Sequence, residues 1–304
     1  MRNAQWFQNY SYHIALHAVV FIWGFTGILG KVIEIPYYAI VWYRMFFAAL
    51  GLLAYFVLSA NAVKVTPLKA LRMLAVGFIV AAHWATFFQA LKVSNVSVVL
   101  TTIASISLFV AFLEPLFFKR RINVYEVLFG LVVIVGLYLI FSFESQYRLG
   151  VILALTSAFL AALFGTLNGL LIRESTASQI TFYEMLGGLI GITLYTLLFE
   201  NFAWTDFQPA PLDIVYLLVL GLLCTALAFV VSVEVMKKLS PFTVSISINM
   251  EPIYAIILAL LFFGDSEKMT PGFYLGALLI MGTLIANGII KRNLTNNRIA
   301  SSAQ

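Results

Sequence analysis

Charge is what this sequence has least of. Only 10% of its residues are Asp, Glu, Lys or Arg, against roughly a quarter in soluble globular proteins. A chain of 304 residues that is 62% hydrophobic has too little polar surface to cover itself in water. Its mean hydropathy of +0.99 excludes a soluble fold and points to an integral membrane protein. The formal charge of +5 is therefore read against a bilayer, and no nucleic-acid partner is expected. Cys224 is the single cysteine, so no intramolecular disulfide can form. No G-x-x-x-x-G-K-[ST] loop occurs, which removes the usual ATP-driven motor. Clustered nucleophile–base pairs and metal-ligand sets at one depth are missing too, so neither catalysis nor a cofactor nor a metal is expected. His13 and His17 have a metal pair's i, i+4 spacing, but with no nearby Cys or acid they read as interfacial packing. Apolar runs that are continuous rather than alternating exclude a β-barrel. The first of them precedes no small-residue cleavage site and reads as a retained span.

What is present is a series of apolar segments, each near the 20 residues that cross a hydrocarbon core about 30 Å thick. Ten can be marked: 13–32, 38–58, 70–91, 96–117, 124–142, 149–171, 179–199, 212–233, 242–263 and 271–290. The expected class is an all-α integral membrane protein with short loops and no soluble domain. Basic residues give the orientation. Even-numbered connections and both termini carry Arg2, Lys64, Lys69, Arg72, Lys119, Arg120, Arg121, Arg173, Lys237, Lys238, Lys291, Arg292 and Arg298; odd-numbered connections carry only Lys31, Lys92, Arg148 and Lys268. This bias predicts a multi-pass inner (plasma) membrane protein with both termini cytoplasmic.

The two halves are alike. "GLVVIVGLYLI" at 130–140 aligns with "GALLIMGTLIA" at 276–286, 146 residues on, and the same offset matches Ser94 with Ser240 and Phe117 with Phe263. At offsets near 140, Tyr43-Arg44 meets Tyr183-Glu184 and Trp23 falls near Phe164. Five spans per half is an odd number, so the second half starts on the opposite side. The chain then divides into a first five-helix repeat (1–145), a second, inverted one (146–292) and a polar cytoplasmic tail (293–304). Inverted repeats recur in secondary transporters, which bind substrate near the midplane between them.

Trp23 with Lys31, Pro36 with Arg44, the ninth-span run "MEPIYAIILALLFFGD" and the closing "GALLIMG" resemble the drug/metabolite transporter superfamily, in particular its EamA-type transporters. The likeness covers nearly the whole chain. Gly264-Asp265 stands where the family has Gly-Glu, and Ser105-Ile106 where its fourth span often has proline. The resemblance implies transport of a small solute, often export of amino acids, metabolites or drugs. An intramembrane enzyme and a non-transporting scaffold are the alternatives.

The polar residues inside spans are the candidate site. Glu251 lies nine residues into the ninth span, roughly 14 Å deep at 1.5 Å per residue, where a charge must find a cavity or a partner. Ser247, Glu251 and Tyr254 share a face by helical spacing, and Pro252 is expected to kink the helix there. Trp23, His83 and Trp84 are deeper than an interfacial belt and are expected to line a cavity, with Asn168 and Asn249 as further polar candidates. Arg44 and Glu184 occupy equivalent places, near the outer and inner surfaces respectively, and are assigned gating or charge roles without pairing. Glu114-Pro115 reads as a neutralised helix end, and Gly165–Gly169, Gly187–Gly191 and Gly272–Gly276 as close helix packing. With no cation recognised at the midplane, an amphipathic or zwitterionic solute is favoured over a phosphorylated one, with protons as the candidate coupling ion. The orientation is testable by cysteines placed at Asn61 and Asn201. An impermeant thiol reagent on intact cells should label position 201 and spare 61; the reverse pattern would invert the topology.

Overall fold

The computed structural model describes residues 2–59, 63–119, 121, 124–248, 250–283 and 285–286, with side chains from residue 11 onward except those of 124, 126, 127, 242, 245 and 246. The described residues form helices and no strand. In chain order the helices are α1 (Arg2–Val32), α2 (Tyr37–Ser59), α3 (Pro67–Val93), α4 (Val96–Ile103), α5 (Ile106–Phe118), α6 (Val124–Phe143), α7 (Arg148–Leu171), α8 (Ala177–Phe199), α9 (Pro211–Leu218), α10 (Ala228–Val235), α11 (Pro241–Ile248) and α12 (Glu251–Phe263). A further helix, α13, covers Pro271–Thr283. Seven stretches are long and apolar enough to cross a membrane: Ser11–Val32, Tyr37–Ser59, Pro67–Val93, Val96–Phe118, Ser145–Leu171, Ala177–Phe199 and Pro211–Val235. Leu128–Phe143 and Pro271–Thr283 are shorter apolar helices. Large apolar side chains such as Leu58, Leu198 and Leu261 cover the outside, as a lipid-facing surface requires.

Three of the expected continuous spans are irregular. The fourth breaks between α4 and α5 at Ala104-Ser105, and the ninth breaks between the end of α11 at Ile248 and the start of α12 at Glu251. Both boundaries recur at one constant offset between the two halves. So do the tight bonds that turn the chain: Ser105 N–H donates to Thr102 O and Leu108 N–H to Ser105 O, while Met250 N–H donates to Ser247 O and Ile253 N–H to Met250 O. The eighth span changes to π-helix over Val219–Leu227, between α9 and α10. Pro252 is therefore no mid-helix kink. It sits in the first turn of α12, where its missing N–H would have had no intrahelical partner. The first half reaches the same break without proline, using Ser105.

Glycine sets how closely these helices approach. α3 packs on both α7 and α8. A Cβ added to Gly77 would run into the backbone of Glu184 and Gly188, and one on Gly187 into the backbone of Leu74. Gly136 and Gly276 likewise close α6 against α13, each on the other's carbonyl. Gly165 departs from the packing expectation, because nothing lies within 4 Å of its missing side chain. Gly77→Ala should lower the apparent Tm by the equivalent of about 1–3 kcal/mol, the usual cost of overpacking. Gly282→Ala, where nothing lies within 4 Å, should leave it unchanged or slightly higher; equal Tm values for the two variants would contradict the close approach.

Candidate functional site

The irregular segments surround one cavity of about 100 Å³. α1 contributes Trp23 and Thr26, α2 Arg44, and α3 His83, Trp84 and Phe87; α7 adds Phe164, Gly165 and Asn168, and α10 adds Phe229, Ser232 and Met236 from just beyond its end. Both breaks reach it from either side, through Ile103 and Ile106 in the first half and Ile248 and Glu251 in the second. A mostly apolar and aromatic wall with a few polar groups is the ordinary make-up of a small-molecule site.

Arg44 is the main revision to the sequence reading. It was expected near the outer surface, yet it is only 3% exposed and its guanidinium lines the cavity. Three features hold it there. Its Nε donates to Thr225 Oγ1 at 2.6 Å, its Cζ lies 3.8 Å from the Trp84 ring centroid, and Phe88 stands 5.7 Å away. Stacking on a desolvated indole is worth about 2 kcal/mol. Thr225 lies in the π-helical stretch, and its hydroxyl donates to Leu220 O, five residues back, at 2.7 Å. Cation and π-helix therefore fix one another. Where five-residue bonding reverts to four-residue bonding, a carbonyl is passed over. Trp23 Nε1 donates to the carbonyl of Cys224 in this stretch at 2.9 Å.

His83 is held in one tautomer. Its Nδ1 lies 2.9 Å from Ser157 O, and a carbonyl only accepts, so Nδ1 carries the proton. Ser157 Oγ donates to His83 O at 2.9 Å. In a neutral ring the other nitrogen is then the acceptor. Glu251 opens α12, where the helix N-terminus favours negative charge. Among the described residues its carboxylate forms no hydrogen bond or ion pair, though it lies within electrostatic reach of Arg44. The cavity thus offers a clamped guanidinium and, among the described residues, a carboxyl group without a protein partner, between aromatic walls.

The other expected residues are placed as follows. Asn168 lines the cavity and its Nδ2 reaches Glu184 Oε2 at 3.4 Å. Glu184, 0% exposed, stands behind Asn168 and outside the cavity wall. Tyr254 packs on Phe21 of α1 with ring centroids 5.6 Å apart. The face expected to join Ser247, Glu251 and Tyr254 is divided, because the break separates Ser247 in α11 from Glu251 and Tyr254 in α12. Asn249 lies outside the described residues. Glu114 is 6% exposed and, as expected, lies close to a helix end, four residues before α5 stops at Phe118. The sequence reading missed Thr225 and Ser232. Their seven-residue separation on an apolar span was the available signal, since it puts two hydroxyls on one helix face. Ser157 carried no such signal.

One face of the molecule, that of connections 33–36, 94–95, 144–147, 200–210 and 264–270, is laced together. Lys31 Nζ donates to Ser94 O at 2.7 Å and Lys92 to Ile33 O. Glu267, 2% exposed, accepts from the N–H groups of Val96 and Ser97 at 3.1 and 2.9 Å. Glu144 accepts from Thr270 N–H and hydroxyl at 2.9 and 2.7 Å. Each acid satisfies the start of a helix in the other half. Asp206 Oδ2 takes the Ala203 N–H at 2.7 Å and the Tyr38 hydroxyl at 2.7 Å, and these two donors lower its pKa.

Thr225→Val keeps the side-chain shape and removes the acceptor from Arg44. A buried donor left unpaired costs about 1–3 kcal/mol, so this variant should melt several degrees below wild type while Thr225→Ser stays close to it. A wild-type melting temperature for Thr225→Val would show that the clamp contributes nothing to the fold.

Comparison with known proteins agrees with this architecture. A solved structure described as "Crystal structure of protein" superposes with a TM-score of 0.67 over 93% of this chain and 98% of its own, at 15% identity. That likeness is one of fold. No curated protein sequence matches. The model of the EamA-like transporter family matches residues 11–142 and again 148–288, so each half carries the same sequence pattern. The chain is a multi-pass membrane protein and belongs to the EamA-like transporter family.

Proposed function

We propose that the protein is a secondary transporter that moves a small amphipathic solute by alternating access, outward from the cytoplasm. The observation that carries this reading is the cavity at the paired helix breaks, where a clamped guanidinium and a carboxylate without a protein partner share aromatic walls. Interrupted helices at corresponding places in two repeats mark substrate sites in transporters of this construction. Arg44 suits a carboxylate, which a guanidinium binds with directed hydrogen bonds. Glu251 suits an ammonium group or a coupling proton. Trp84, Phe87, Phe164 and Phe229 suit an apolar or aromatic body. A zwitterion such as an amino acid meets all three requirements.

The remaining parts of the reading follow from this. Ten spans, in two inverted five-helix repeats meeting near residue 146, let one half rock against the other about the cavity. With both termini cytoplasmic, the laced face is the outer one, and opening to the outside breaks the Glu267 and Glu144 contacts. Asn168 and Glu184 form a polar support behind the cavity. Pro252 starts the half-helix that presents Glu251.

Three probes dissect the site: L-phenylalanine, 3-phenylpropionate and phenethylamine. A ligand that binds only the native state stabilises it by about 2.7 kcal/mol at a hundred times its Kd. L-phenylalanine and 3-phenylpropionate should raise the Tm of purified protein, and Arg44→Gln should abolish both shifts. In liposomes, Glu251→Gln should still exchange L-phenylalanine and lose its response to a pH gradient. A panel without thermal shift or flux would remove the transport reading for these solutes. Wild-type pH response in Glu251→Gln would remove the proton role.

A further inference from the structure

A second pocket lies at the face opposite the laced one, between the ends of α5 and α7 and the α10–α11 connection. It shares two wall residues, Met236 and Pro241, with the central cavity. The two chambers are thus adjacent, with those side chains between them. The second chamber is about 400 Å³.

Its charge is asymmetric. Glu114 on its wall is 6% exposed, whereas Arg173, Lys237 and Lys238 are exposed. Lys237 is spoken for, since its Nζ lies 2.6 Å from Glu234 Oε1. Arg173 lies over the Phe118 ring at 4.8 Å and, among the described residues, forms no ion pair; nor does Lys238. The charge presented to water at this mouth is therefore positive, with two cations uncommitted. A preference for basic residues on the cytoplasmic side explains cations on this face, but not a basic chamber that shares its wall with a site whose own cation is Arg44.

We propose that this pocket is a peripheral binding subsite for carboxylates, on the route into the central cavity. This rests on the transporter reading above. Arg173 and Lys238 capture the carboxylate of the solute, which then passes between Met236 and Pro241 to Arg44. The site favours anionic and zwitterionic solutes and repels cationic ones at first encounter. A cleft lined by one sign of charge raises association rates by tenfold or more, and such steering acts on arrival rather than departure.

The probe is 3-phenylpropionate, added by stopped flow to protein in nanodiscs of phosphatidylcholine, with quenching of Trp23 and Trp84 reporting occupancy of the central cavity. Arg173→Gln/Lys238→Gln should slow association about tenfold at low salt, leave the dissociation rate unchanged, and lose the salt dependence seen in wild type. The charge-keeping pair Arg173→Lys/Lys238→Arg should restore the rate. Wild-type association in the neutralised variant, with binding intact, would overturn the peripheral site and leave the central one standing. If wild type binds no carboxylate, both readings fall together. Lipid phosphate is the other source of an anionic group. In nanodiscs containing phosphatidylglycerol the wild-type rate should hold. A fall to the double-variant rate, with the variant itself unaffected, would assign the pocket to lipid headgroups and overturn the solute route.

Discussion

A helix in an apolar solvent must satisfy its own backbone, and everything distinctive in this protein follows from three places where helices fail to do so. The breaks at Ala104-Ser105 and between α11 and α12, and the π-helical stretch Val219–Leu227, all release polar groups inside a fold with little water to receive them. Such backbone is tolerated only where protein or a polar cavity replaces the lost partners. The tight turns at Ser105 and Met250 recover part of the bonding. The Trp23 indole and the Thr225 hydroxyl take up part of the rest. The cavity forms where these compensations meet, so it is a consequence of the irregular backbone and not a gap between otherwise regular helices.

The same constraint explains how a guanidinium survives there. An arginine inside an apolar bundle is costly unless its charge is held by neighbours. Arg44 has an acceptor that exists because the π-helix turns Thr225 toward it, and a ring face that exists because α3 lies close to α2. Close approach of α3 to its other neighbours in turn depends on Gly77 and Gly187. Removing any one part would loosen the others, which ties specificity in the cavity to packing at the glycines. Glu251 is different in kind. Its support is the N-terminus of α12, leaving the carboxylate available to whatever enters.

The two faces are built by opposite rules. On one, buried acids reach across to cap helices of the other half, and lysines bind carbonyls across connections. Those contacts are short, directed and numerous. On the other, cations stand exposed around a pocket adjoining the cavity. The molecule therefore has one face tied across its two halves and one face that carries a basic pocket walled off from the cavity by Met236 and Pro241.

The sequence by itself determined the solvent, the helical class, the doubling of the chain and the depth of the aromatics. Each is a property of composition or local spacing: apolar runs of bilayer length, a repeated pattern, and Trp23, His83 and Trp84 far from span ends. These survive any packing arrangement. Glu251 also stood out, because a carboxylate beside a proline in an apolar run has few explanations. Only the tertiary structure decided the rest. Arg44 looked peripheral because depth counted along a helix ignores the length and direction of its side chain. Tyr254 looked central because its three-residue spacing from Glu251 gave no sign that it packs on Phe21 of α1, and the first-half break at Ser105 had no proline to announce it. Ser157 and the π-helix were not legible, since their roles come from partners 74 and about 200 residues away in the chain. Long-range partnership leaves no trace in local spacing, and in an apolar interior it decides which polar groups are free to meet a solute.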